Sequence, residues 1–179
     1  MIQFYKLNSK VSGGACSFYL NKSDGSFFGT MVKQASWDEK RRKGSVNKDS
    51  QITVKYSPQE ISDIIFAIEN KKDFSAYHSS TNVTKVGFSY AESGDKSGFH
   101  YNITQEPKED STQKKSIRVS LYYNEAFYLK KHLEYLLNEY FASEDAKYEA
   151  RQAEYQAKQQ SKQQSNAPAQ EKADEEDPW

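Results

Sequence analysis

The sequence lacks disulfide-forming cysteine pairs and long apolar runs. Cys16 is the only cysteine among 179 residues, which excludes an intrachain disulfide and a cysteine-built zinc site and favours a reducing compartment. No stretch approaches the roughly 20 apolar residues that span a bilayer, and the N-terminal residues lack the pattern of a secretory signal. We therefore expect one cytoplasmic domain with appendages, neither secreted nor membrane-spanning.

The sequence also lacks the motifs of catalysis and of cofactor binding. His78, His100 and His132 form no His-x-x-x-His pair, and no carboxylate is placed to complete a metal site. Neither a glycine-rich phosphate loop nor a Gly-x-Ser-x-Gly motif is present. We expect a protein that is not an enzyme and that holds neither a metal ion nor a cofactor.

The formal net charge is zero, but the charges are unevenly distributed. In residues 1–141, Lys and Arg exceed Asp and Glu by four, and in residues 142–179 the acidic residues exceed the basic ones by four. A basic body has an electrostatic reason to bind an anionic polymer, and an acidic tail competes for the same surface. This asymmetry permits a nucleic-acid partner despite the neutral total.

Short runs of β-branched and aromatic residues, separated by Gly, Ser, Asn and Asp, predict a strand meander. The Asp24-Gly25 pair predicts a hairpin turn between antiparallel neighbours. Ser57-Pro58-Gln59-Glu60 forms a capping box with proline at the first helical position, so a helix begins there. The predicted strands span residues 2–7, 15–20, 27–34, 52–56, 74–78, 85–90, 98–104 and 116–122, and a second helix spans 125–141 with a polar extension to about 160.

The order of strands followed by a helix occurs twice. An offset of 65 residues places Ile52 on Ile117 and Glu60 on Glu125, which suggests two similar halves. The chain is therefore predicted to be an α+β protein. Residues 1–141 form its domain, with halves at about 1–71 and 72–141. Residues 142–179 form a helical extension and then a tail without fixed structure, because its low-complexity sequence has little apolar surface to bury.

Aromatic residues are abundant, with 13 Tyr, 10 Phe and 2 Trp. Each strand aromatic has two possible roles, as a core residue or as an exposed platform on which a base stacks. Alternation places Tyr19 on the face opposite Cys16 and Phe18, and leaves open which face of the later strands is buried. The aromatic candidates for nucleic-acid binding are Tyr19, Phe28, Trp37, Phe88, Tyr90, Phe99 and Tyr101.

Cations are densest after Trp37, in a segment interpreted as a linker that follows a strand. In that segment, four consecutive Lys and Arg residues would neutralise the phosphates of a nucleic acid. The alternative is a solvated loop with Trp37 packed on the core. The cationic candidates are Lys10, Lys40, Arg41, Arg42, Lys43, Lys85 and Arg118.

The C-terminus joins an acidic run to a terminal aromatic residue. Acidic charge on a long tether is suited to basic pockets on other proteins, and an indole beside a terminal carboxylate provides an anchor. The predicted partner-binding residues are Asp174, Glu175, Glu176, Asp177, Pro178 and Trp179.

Residues 1–141 resemble the Whirly family of single-stranded DNA-binding proteins, which has a coactivator-type β-sheet-plus-helix fold. The segments that carry the resemblance are Lys10-Val11-Ser12-Gly13-Gly14-Ala15-Cys16-Ser17, Trp37 with its cations, Ser97-Gly98-Phe99-His100-Tyr101-Asn102-Ile103, and Ile117-Arg118-Val119 through Asn124-Glu125-Ala126-Phe127. Gly14 departs from the family, which has lysine there.

The resemblance implies two antiparallel four-stranded sheets, each followed by a helix. It also implies a homo-oligomer, a tetramer by preference, that assembles through the helices and binds single strands along sheet edges between protomers. The tail resembles the acidic, aromatic-ended C-termini of bacterial and phage single-stranded DNA-binding proteins, which recruit replication and repair enzymes. A bacteriophage replication or recombination protein is the expected identity.

Two alternatives remain open at this point. The first is an RNA-binding or annealing protein, because stacking and phosphate contacts do not exclude RNA. The second is a transcription-regulatory or structural protein that binds another protein through a sheet.

Overall fold

The computed structural model describes residues 1–94, 97–109 and 113–165, with side chains as far as residue 160. Within these ranges the chain forms eight strands and two helices. In order these are β1 (Ile2–Lys6), β2 (Gly14–Asn21), β3 (Ser26–Asp38), β4 (Lys43–Tyr56), α1 (Pro58–Asn70), β5 (Phe74–Ser79), β6 (Asn82–Ala91), β7 (Gly98–Pro107), β8 (Lys115–Tyr122) and α2 (Tyr123–Ser165).

The strands form two four-stranded antiparallel sheets, each with its strands in sequence order. We name them sheet A, made of β1 to β4, and sheet B, made of β5 to β8. Sheet A is followed by α1 and sheet B by α2. The predicted α+β class and the two sheets are therefore confirmed.

Local sequence explains where the first helix begins. The Ser57 hydroxyl accepts a hydrogen bond from the Glu60 backbone N–H at 3.2 Å, and the Glu60 carboxylate accepts one from the Ser57 N–H at 2.8 Å. This is the predicted capping box. At α2, the Glu125 carboxylate likewise accepts the backbone N–H of Tyr122 at 2.8 Å. The same backward contact thus occurs at the two glutamates that the 65-residue offset aligns.

Alternation along the strands places one face of each sheet in a shared core. In sheet A the inner face includes Phe18, Phe27, Met31 and Ile52, all at most 1% exposed. Both helices add apolar stripes to this core. The buried helix residues are Ile61, Ile64, Ala67 and Ile68 of α1 and Ala126, Leu129, Leu133, Leu136 and Leu137 of α2.

The two inner faces meet through a cluster of aromatic rings. Tyr56 of β4 and Tyr101 of β7 are buried, and their hydroxyls share a hydrogen bond of 2.6 Å. The ring of Phe18 lies 5.2 Å from that of Tyr101, centroid to centroid. Room for these rings depends on Gly29, because a Cβ there would lie 2.7 Å from the Tyr56 ring and 2.8 Å from the Tyr101 hydroxyl.

The segment after the third strand differs from the predicted linker. β3 continues to Asp38 and pairs with residues from Lys43 onward, so the basic residues form the tip of a long hairpin. We call residues 33–47 the hairpin arm. The Ser36 and Ser45 hydroxyls bond across it at 2.7 Å. The prediction that this segment is a linker was wrong. Backbone pairing and hydroxyl contacts hold these strands together, so they lack the apolar alternation by which a strand is recognised in a sequence.

By its contacts the chain divides into two units, Met1–Tyr140 and Phe141–Trp179. In the second unit, helical residues 145–160 are exposed throughout, as expected for a polar extension. Among the helices of the described residues, none is long and apolar enough to cross a membrane.

The buried hydroxyl pair generates a prediction. Tyr101→Phe leaves the Tyr56 hydroxyl buried without its partner, so we expect it to lower the free energy of unfolding by about 1–3 kcal/mol. The double variant Tyr56→Phe/Tyr101→Phe removes both polar groups and should lose less than the two single variants summed. Urea unfolding at fixed protein concentration measures this. Strictly additive losses would mean that the two hydroxyls do not interact.

Candidate nucleic-acid interface

The outward face of sheet A carries two stacked aromatic rings beside a lysine. Tyr19 of β2 lies opposite Phe28 of β3, and Phe28 lies opposite Lys55 of β4. The rings of Tyr19 and Phe28 stack with centroids 5.4 Å apart and planes 25° apart. Both are partly exposed, and Lys55 is exposed. We call Tyr19 and Phe28 the aromatic platform; a flat ring pair next to a cation suits a base and its phosphate.

The outward face of sheet B repeats this combination. Tyr77 of β5 is 62% exposed and lies opposite Lys85 of β6. One row further along, Gly87 pairs with Asn102, and Asn102 pairs with the exposed Arg118 of β8. Each sheet therefore has an outward-facing aromatic residue beside an exposed cation, partly exposed on sheet A and exposed on sheet B.

Between these groups the outward faces are lined by hydroxyls that bond across strands. Thr30 and Thr53 are 3.2 Å apart in sheet A, and Thr104 and Ser116 are 3.1 Å apart in sheet B. His100 Nδ1 lies 2.9 Å from the Ser120 hydroxyl. Burial, assisted by the positive charge of Arg118, lowers the pKa of His100, which favours the neutral form of its ring.

The four consecutive cations, Lys40 to Lys43, are all exposed at the tip of the hairpin arm. Asp38 holds the turn, because its carboxylate accepts the Arg41 backbone N–H at 3.0 Å. Arg42 has a left-handed backbone with φ of 51°. The tip is therefore an ordered turn that presents its charges to solvent.

Trp37 precedes this tip and is partly buried within β3. Its cross-strand partner is Gly44, and a Cβ on Gly44 would lie 2.9 Å from Leu7. The indole nitrogen is buried and has no hydrogen-bond partner among the residues that the structure describes. The Trp37 ring therefore has less exposed surface for stacking than it would have in a solvated linker.

Three predicted contact residues lie in the core. Phe88 and Tyr101 are 0% exposed and Phe99 is 1% exposed, with the Phe88 and Phe99 rings stacked 4.7 Å apart. These rings have no free face for a base, so their predicted binding role is corrected to a packing role. Tyr90 shares their side of the sheet and is half-buried, with Lys71 Nζ 5.8 Å from its ring centroid.

The loop between β1 and β2 holds the exposed Lys10. Gln34 fixes this loop, since its side-chain oxygen accepts the N–H groups of Asn8 at 2.9 Å and Gly13 at 3.2 Å. At the following Gly14, a Cβ would lie 2.8 Å from the Val32 carbonyl oxygen. The backbone here therefore requires glycine where the Whirly resemblance has lysine.

Two residues of these faces were missed by sequence reasoning. Lys55 alternates with buried Val54 and Tyr56, and this alternation signals only that it points outward. Tyr77 sits in a strand of six residues with a weak pattern. Their proximity to Phe28 and Lys85 follows from strand register, which the sequence does not display.

No group of three potential metal ligands lies together within the described ranges. The predicted partner-binding residues, Asp174 to Trp179, lie outside the described residues.

Comparison with known proteins gives structural neighbours but no sequence relatives. No family model matches the sequence, and no curated protein matches it significantly. The crystal structure of WHY3 from Arabidopsis thaliana superposes with a TM-score of 0.55 and 14% identity, over 86% of this chain and 95% of that one. Trypanosome MRP1/MRP2 superposes with a TM-score of 0.54 and 12% identity, over 78% of this chain and 92% of that one.

At this level of identity the likeness concerns the fold. Both neighbours are covered almost completely, so the likeness extends over the whole of their chains. The chain thus has a Whirly-like fold of two four-stranded antiparallel sheets and two helices.

Proposed function

We propose that this protein binds single-stranded DNA without base preference and protects it during DNA replication or recombination, in a bacteriophage. The observation that carries the proposal is the pairing of an outward-facing aromatic residue with an exposed lysine on both sheets, the partly exposed Phe28 with Lys55 and the exposed Tyr77 with Lys85. Stacking accepts any base, and lysine contacts any phosphate, so neither interaction reads sequence. The surplus of cations in residues 1–141 supports the same conclusion.

Single strands are favoured over duplex because a base paired within a helix has no free face to stack on a side chain. The aromatic platform lies on a sheet face rather than on an element shaped for a groove, so it suits unstacked bases. The structural likeness to WHY3 and MRP1/MRP2 is consistent with this proposal through the fold.

Assembly into a homo-oligomer, a tetramer by preference, belongs to the same proposal. The helices carry large apolar side chains outside the core, among them Phe66 of α1, which is 53% exposed, and Phe127 of α2, which is 46% exposed. Tyr128 and Tyr135 are exposed on the same helix. Copies of the chain that pack helix against helix would cover these rings.

The first prediction from the proposed function tests the binding of single-stranded DNA directly. The full chain should bind oligo-dT tightly and in a salt-sensitive way, and duplex DNA of the same length much more weakly. Fluorescence anisotropy with oligo-dT, oligo-rU and duplex measures the three affinities. Equal affinity for duplex and oligo-dT at moderate salt rejects the proposal, whereas tighter binding of oligo-rU reassigns the substrate to RNA.

A pair of variants locates that binding on sheet A. Phe28→Ala should weaken oligo-dT binding by roughly tenfold, because it removes one stacking surface. Tyr148→Ala is the control, since it also removes an aromatic ring, one that is 62% exposed on the α2 extension. Identical affinities for both variants would place the strand elsewhere.

The second prediction concerns the tip of the hairpin arm. Replacing Lys40, Arg41, Arg42 and Lys43 by Gln removes four exposed charges. If all four contact phosphates, the slope of log K against log salt should shrink by up to about 3. An unchanged affinity and slope would identify the tip as a solvated surface, the alternative that the sequence left open.

The third prediction concerns the acidic tail, which we propose to inhibit DNA binding mildly and to recruit replication or recombination proteins. A chain that ends at Ala142 lacks the opposite-signed tether, so it should bind oligo-dT more tightly at low salt, and the gain should fade as salt rises. Removal of only Pro178 and Trp179 should spare DNA affinity and abolish partner recovery.

Anisotropy and pull-down with the full chain, the chain ending at Asp177 and the chain ending at Ala142 separate these roles. The thermal transition should change little between the three chains if the tail adds no folded part. Identical partners and identical low-salt affinity in all three chains would remove both roles from the tail.

A further inference from the structure

A cleft of about 470 Å³ lies between the β1–β2 loop and the outward face of sheet B. Its walls bring together residues from both sheets, including Lys6 and Gly14 from the first and Arg118, Ser120 and Tyr122 from the second. We call it the junction cleft. Its volume is within the range of roughly 300–1,000 Å³ that is typical of small-ligand sites.

The loop wall of the cleft is held in place before any ligand arrives. Besides accepting from Asn8 and Gly13, the Gln34 side chain donates to the Asn8 carbonyl at 2.8 Å, and its backbone N–H donates to the Gly13 carbonyl at 2.9 Å. A Cβ on Gly13 would collide with the Lys6 carbonyl oxygen. Because this glycine-lined wall is already fixed, little conformational entropy is lost when a flat group packs against it.

The opposite wall supplies positive charge and an aromatic ring. Arg118 is exposed, and its guanidinium is in no ion pair within the part of the chain that the structure describes. Tyr122 is 53% exposed, and Lys6 Nζ lies 4.6 Å from its ring centroid. Glu125 pairs with Lys6 and holds that lysine at the Tyr122 ring. Arg118 and Tyr122 lie on the same face of β8 with Ser120 between them, and an arginine and a tyrosine on one face suit a phosphate and a base.

The cleft is continuous with the outward face of sheet B. Arg118 and Ser120 lie on that face, opposite Asn102 and His100, and the Tyr77–Lys85 pair lies on the same face. A strand that lies across these residues therefore reaches the cleft at the end of the sheet. His100, whose Nδ1 lies 2.9 Å from the Ser120 hydroxyl, adds a polar ring to this wall.

We propose that the junction cleft binds one nucleotide of the bound single strand, with its base against Tyr122 and its phosphate at Arg118. This inference rests on the proposed strand binding and specifies a subsite of it. The cleft takes a base that has left the stack, so it distinguishes a single strand from a duplex without reading sequence.

Photocrosslinking with oligo-dT that contains 4-thiothymidine tests the proposal on the full chain, with crosslinked peptides mapped by mass spectrometry. Crosslinks are expected at Tyr122 or His100. The variant Ser120→Phe fills the cleft from one wall; it should remove these crosslinks and weaken binding by roughly five- to tenfold.

Ser23→Phe is the matched control. Ser23 is also an exposed serine with a hydroxyl contact, to Asn21, but it lies in the turn between β2 and β3, outside both the cleft and the outward faces of the sheets. It should keep the crosslinks and leave affinity within about twofold, because the cleft stays open. Equal effects of the two variants would overturn the proposal.

A milder pair of variants covers the case in which Ser120→Phe does not fold. Arg118→Gln should reduce the salt slope by about one and lower the crosslink yield at Tyr122. Lys108→Gln, at the opposite end of β7, should leave the crosslink yield unchanged. Crosslinks confined to Tyr19 and Phe28 in the unaltered chain would reject the cleft but keep strand binding, whereas no binding of oligo-dT at all would reject the proposed function.

Discussion

The hydrogen bond between the Tyr56 and Tyr101 hydroxyls is the contact on which the arrangement of the two sheets depends. Each phenol is buried, and a buried hydroxyl without a partner lowers stability. The two hydroxyls must therefore meet, which fixes the position of β4 relative to β7. Gly29 leaves the space that the two rings occupy. Sheets A and B are thereby joined through their inner faces.

Fixing the inner faces also fixes what the outer faces present. Because side chains alternate along a strand, burial of Phe27 and Met31 forces Phe28 outward, and burial of Val54 and Tyr56 forces Lys55 outward. Antiparallel register then places Phe28 beside Lys55. The same reasoning places Tyr77 beside Lys85 on sheet B. The candidate interface is thus a consequence of core packing.

The chemistry of these outer faces fits a ligand that varies in sequence but not in backbone charge. Rings, hydroxyls and lysines are spread over both sheets, whereas base-specific readout requires hydrogen bonds fixed toward one base edge. The hairpin arm extends this surface with the exposed cations of its tip, residues 40–43. The competition for this surface that we propose for the acidic tail would weaken as salt rises, because salt screens exposed charges.

The sequence by itself determined the α+β class, the antiparallel pairing around Asp24-Gly25 and the start of α1 at Ser57, because turn chemistry and capping are local. It did not decide which face of β6 and β7 is buried, so Phe88, Phe99 and Tyr101 were candidates for nucleic-acid binding although they lie in the core. Only tertiary packing decides that question, since alternation defines two faces without saying which one meets the core. The junction cleft likewise exists only because residues far apart in the chain, Gly13 and Tyr122 among them, meet where the two sheets join.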